Sequence, residues 1–104
     1  MSLTFSEFAA KNNARCEEGF FPLESVSPTD LACALSGEIG EANNLIYKFH
    51  VRHKNIDLDR IAEELADSLT YLDLLASRLG IDLEAALINK FNRVSAERSS
   101  KVRL

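Results

Sequence analysis

Between Pro28 and Leu79 apolar residues recur every three or four positions, interrupted once by "HVRHKNI" (His50–Ile56). That spacing lines one side of a helix with 3.6 residues per turn. It predicts two long helices, over 28–50 and 58–79. A loop this short sets neighbouring helices antiparallel. Little in the chain would break them: it has four glycines, two prolines and no β-branched run in 104 residues. Start signals add two more helices. Thr4 and Glu7 form a capping box, with Leu3 and Phe8 at the spacing of a hydrophobic staple. Ser27 precedes Pro28, a proline at the first helical position, with Val26 and Leu31 as the staple pair. Asp57 and Asp82 open the last two helices, and Gly80 ends the third as a left-handed cap. The expected helices are 5–18, 28–50, 58–79 and 83–98, with a loop at "GFFPLESVS" (Gly19–Ser27). The fold expected is all-α, in one domain over 1–98, with a frayed basic tail over 99–104.

Charge and size narrow the function classes. A net charge of −4 argues against nucleic acid as partner, since such modules carry a basic face. No apolar run approaches the roughly 18 residues of a membrane span. The N-terminus lacks the pattern of a signal peptide. Cys16 and Cys33 have no metal-like spacing and read as reduced, buried residues, which suits a cytoplasmic protein. His50 and His53 read as surface residues. The third helix has an apolar arc wider than one helical hairpin can cover, so a homo-oligomer, dimer or tetramer, is expected.

The informative residues are acids. On the second helix Leu31, Leu35, Ile39, Ala42, Leu45, Ile46 and Phe49 form a stripe, and Glu38 falls inside it. Glu41 lies at its edge, one turn on. Gly37 and Gly40 flank these acids, although a mid-helix glycine costs about 1 kcal/mol relative to alanine. They remove bulk and would let another backbone or a ligand come close. On the third helix Leu58, Ile61, Ala62, Leu65, Leu69, Leu72, Ala76 and Leu79 centre the arc. Glu64, Asp67 and Tyr71 lie on one flank. Asp59, Glu63 and Asp73 lie on the other and read as solvated. Antiparallel packing brings Glu38, Glu41, Glu64 and Asp67 together. Four carboxylates in a partly apolar place repel unless a cation joins them, and oxygen ligands suit Mg²⁺, with Mn²⁺ as the alternative. The plainer reading is of solvated acids, with Glu64 paired to Arg60 and Asp67 near Arg60 and Arg78.

With "GEIGEANNLIYK" (Gly37–Lys48) and "EELADSLTYLDLLASRLGIDLEAAL" (Glu63–Leu87), the chain resembles the MazG-like all-α nucleoside triphosphate pyrophosphohydrolases. Their ExxE and ExxD motifs correspond to Glu38/Glu41 and Glu64/Asp67, and the resemblance covers about residues 27–98. It implies that these acids bind Mg²⁺, which holds the triphosphate of a nucleotide substrate. Water then attacks the α-phosphorus, giving a nucleoside monophosphate and pyrophosphate, as housekeeping of the nucleotide pool. Members assemble as dimers or tetramers with sites near subunit contacts. Glu41 is the candidate base, with Glu38 as its catalytic partner. Tyr71, Lys90 and Asn92 are candidate substrate contacts. In many members an asparagine follows the lysine by four positions, where this chain has Val94. Base recognition is expected in the N-terminal segment, where Phe5, Phe8, Phe20 and Phe21 are candidates for stacking.

Two other readings compete. One is a phosphoribosyl-ATP pyrophosphohydrolase, a relative within the superfamily. The other is a helical nucleotide-binding or scaffold module without catalysis. A di-iron carboxylate bundle would want Glu-x-x-His on two helices, and neither acid pair has a histidine at that spacing.

Overall fold

The computed structural model describes residues 2–52 and 55–104. His53 lies outside the described residues, while His50 is exposed. The chain forms four α-helices: α1 (Phe5–Gly19), α2 (Pro28–Arg52), α3 (Leu58–Arg78) and α4 (Leu83–Glu97). A 3-10 turn, Leu23–Ser25, lies between α1 and α2, and no strand is present among the described residues.

The helices begin where their caps are written. Thr4 Oγ1 accepts from the Glu7 amide at 3.2 Å, and the Thr4 amide donates to Glu7 Oε2 at 3.3 Å. Asp57 accepts from the Arg60 amide and Asp82 from that of Ala85, each at 3.0 Å. These contacts satisfy amides that a helix start leaves without partners. Gly80, at φ 71°, turns the chain out of α3, and the Ile81 amide closes the turn on the Ala76 carbonyl at 2.8 Å.

The most extensive helix contact is between α2 and α3, and α1 packs mainly on α3. A buried cluster of Cys16, Leu23, Leu31 and Leu74 joins α1, the 3-10 turn, α2 and α3, and half-buried Phe21 and Tyr71 pack against it. This core fixes the start of α2 and the second half of α3, so the acids two to three turns from Leu31 and Leu74 are held by packed elements.

Several expectations change. Cys16 is buried, and its thiol donates to the Phe21 carbonyl at 3.4 Å, but Cys33 is exposed. Asp73 is only 3% exposed rather than solvated. The reason is α1, which packs on that flank of α3 and offers Asn12, whose amide donates to Asp73 Oδ2 at 2.9 Å. The arc on α3 is covered only in part. Ile61, Leu74 and Ala76 are buried, but Leu65 is 54% exposed, and Leu58, Leu69, Leu72 and Leu79 are exposed with it. In the tail Asn92 Oδ1 accepts from the Leu104 amide at 2.9 Å, and the Ser100 amide donates to the Ser95 carbonyl at 2.8 Å. Among the described residues no helix is long and apolar enough to cross a membrane.

Candidate metal centre

Two helices supply the acids. Glu38 and Glu41, one turn apart on α2, and Glu64 on α3 each bring a carboxylate oxygen to a common point, all within 4.8 Å of one another. Glu38 and Glu64 are half-buried and Glu41 is exposed. Glu64 Oε2 is shut off from solvent, and no hydrogen-bond donor reaches it among the described residues. Asp67 stands outside this trio. It lines a cavity beside it, together with Glu38.

The arginines that could have neutralised the acids do not. Arg78 Nε donates to the Val26 carbonyl at 2.9 Å. Among the described residues the one ion pair is Arg93–Glu97, at 3.9 Å and exposed on both sides. Such a pair contributes little. Arg60 acts on Glu41 only at longer range.

Crowding shows in the proton affinities. Glu41 is raised above the usual carboxylate value, chiefly by the nearby Glu64 carboxyl, through its hydrogen-bonding capacity first and its charge second. Asp67 adds to the repulsion and Arg60 offsets part of it. Glu64 is raised too, first by a hydrogen bond with Glu38, while its contact with Glu41 works the other way. Carboxyls this close repel one another when all are ionised, which favours their protonated forms. Three oxygen donors, one of them shielded and otherwise without a partner, fit a hard divalent cation such as Mg²⁺ or Mn²⁺.

Gly37 and Gly40 do not admit another part of the same chain. A Cβ at either position would meet nothing within 4 Å. The room beside the acids is open space.

The adjoining cavity has a volume of about 150 Å³. Glu38, Asp67 and Tyr71 line it. Phe20 lines it as well, 69% exposed, with the Arg15 guanidinium 5.7 Å from its ring centroid. Lys90 and Asn92 are not among its lining residues. Lys90 is exposed on α4 and lines a separate groove, and Asn92 is engaged with Leu104. Sequence reasoning missed Asn12, Arg15 and Thr70, which also line the cavity. The one available signal was a polar pair, Asn12 and Arg15, at i, i+3 on the same side of α1 as Cys16.

Compared with protein-family models, with curated proteins and with solved structures, the chain matches none.

Proposed function

We propose that this chain is a Mg²⁺-dependent nucleoside triphosphate pyrophosphohydrolase, converting a (d)NTP to the (d)NMP and pyrophosphate in the cytoplasmic nucleotide pool. The observation that carries it is the convergence of Glu38, Glu41 and Glu64, with Glu64 Oε2 lacking any partner, at the edge of a ring-sized cavity. Their closeness also supports antiparallel pairing of α2 and α3. Glu38, Glu41 and Glu64, with Asp67 beside them, would hold the cation. When bound, Mg²⁺ supplies charge neutralisation for the phosphates, which is most of what phosphoryl substitution asks of a protein. The chain's own part is positioning and proton transfer. Glu41 is the exposed member of the trio, which leaves it best placed to meet a water as general base. It takes the proton of the water whose oxygen bonds to the α-phosphorus, while the bond to the pyrophosphate oxygen breaks. Tyr71 and Phe20 offer ring surface beside this point.

The test is product analysis over a panel of NTPs, dNTPs and phosphoribosyl-ATP, with Mg²⁺ and with EDTA. Metal-dependent release of pyrophosphate and monophosphate from the NTPs or dNTPs is expected. Turnover of phosphoribosyl-ATP alone would move the enzyme to the related reaction. No turnover of any of them by folded protein would overturn the enzyme reading. Glu38→Ala is expected to abolish turnover and to leave the metal-free melting temperature unchanged or raised. A sharp fall in that temperature would make Glu38 structural instead.

A further inference from the structure

The last helix is almost without a partner. α4 meets α3, slightly, and of its 15 residues Ser95 alone is buried. Leu87, Ile88, Phe91 and Val94 are all exposed. A helix of this length is marginal in water by itself, and most helices in proteins are held by the packing of an apolar face. The molecule is also extended for its length. Its radius of gyration is 16.4 Å, where a compact chain of about 100 residues has about 13 Å. The turn after α3 is pinned at Gly80 and by the Ile81 amide on the Ala76 carbonyl, and it leads α4 away from α3 rather than back along it.

A matching face is uncovered on α3. Leu58, Leu65, Leu72 and Leu79 stand seven residues apart, with Ala62, Leu69 and Ala76 between them. This is the spacing of a coiled-coil seam, which a second helix fills. All four leucines are exposed, and so are Ala62 and Leu69. Charge decides which helix fills it. α3 carries Asp59, Glu63, Glu64, Asp67 and Asp73 against Arg60 and Arg78, so two α3 seams laid together bring like charge to like. α4 and the tail carry Lys90, Arg93, Arg98, Lys101 and Arg103 against Glu84 and Glu97. Along α4, Leu87, Phe91 and Val94 line an apolar groove together with Lys90 and Arg98. We propose that α4 and the tail form an arm that docks on the α3 seam of a second copy, each copy giving its arm to the other. Both halves of the contact sit on one chain, and a fixed turn keeps them apart, which favours exchange of the element between protomers. The inference does not depend on the acid trio holding a cation.

Sedimentation of the intact protein over a range of concentrations tests it, with two variants and their mixture. Leu65→Glu damages the seam and Phe91→Glu damages the arm, and both side chains are exposed in the single chain. Each variant alone should dimerise at least about tenfold more weakly than the wild type. In the mixture the intact arm of Leu65→Glu meets the intact seam of Phe91→Glu. That pair should associate at least about tenfold more tightly than either variant with itself. Wild-type association should also weaken as salt is raised from about 0.05 M to about 0.5 M, because arm and seam attract by charge. A wild type that stays monomeric overturns the inference. So does a mixture that associates no better than its components. Loss of association in Leu65→Glu alone would put a second α3 in the seam, and loss in Phe91→Glu alone would pair two arms; either result overturns it. Should a variant not fold, the salt response of the wild type still decides: association that does not weaken contradicts an arm drawn in by charge.

Discussion

At the scale of single residues, the carboxyls Glu41 and Glu64 tie structure to solution behaviour. Both hold their protons more tightly when folded than the ordinary carboxylate value of 4.5 allows. Glu38 and Asp67 face them as further acids and Arg60 as the nearby cation. An acid whose pKa is raised by folding binds more protons in the folded than in the unfolded chain. Its contribution is fully present below the ordinary carboxylate range and is lost as pH rises through the raised value. The metal-free protein should therefore lose melting temperature as pH is taken upward from about 4.5 through the raised values. Glu64→Gln should flatten that slope. Scanning calorimetry at a series of pH values in EDTA checks it, and a wild-type profile no steeper than that of the variant would contradict it. Glu38 and Glu64 were legible in the sequence because acids interrupted or flanked apolar stripes. Asp73 was not, because its burial comes from Asn12 on another helix, and a wheel drawn for one helix cannot register that contact.

At the scale of elements, boundaries were the most legible feature, because caps act within three or four residues. The Thr4 box, Asp57, Asp82 and Gly80 all sit where local rules put them. Which face an element buries depends on its partners and was less legible. Much of the centre of the α3 arc stays exposed, although Ile61 and Ala76 within it are buried. The glycines of α2 belong to this scale as well. Gly37 and Gly40 lie in helix with open space where a Cβ would stand, so the folded chain alone gives no reason for them. Alanine at either position should stabilise the metal-free protein by about 1 kcal/mol, which is several degrees of melting temperature in a domain of this size. If the open space is where phosphates approach the acids, the same substitutions should lower pyrophosphate release. Higher stability with unchanged turnover would leave the glycines without a functional role.

At the scale of the whole molecule, exposed Leu58, Leu65, Leu69 and Leu72 on α3 and Leu87, Phe91 and Val94 on α4 are too much apolar surface for a lone chain. A second copy is the occupant that the proposed enzyme calls for. Light scattering should give a symmetric dimer or tetramer, and Leu69→Glu should shift it toward monomer. A stable wild-type monomer would contradict the assembly. The central claim is nevertheless smaller than the assembly: the Glu38, Glu41 and Glu64 carboxyls form a divalent-cation site. Titration of the intact metal-free protein with Mn²⁺, followed by calorimetry and by the electron paramagnetic resonance of the free ion, tests it most directly. Saturable binding that Glu64→Gln weakens at least about tenfold, with the fold retained, is the predicted result. Absence of saturable binding in the wild type, or equal binding by the variant, would contradict it.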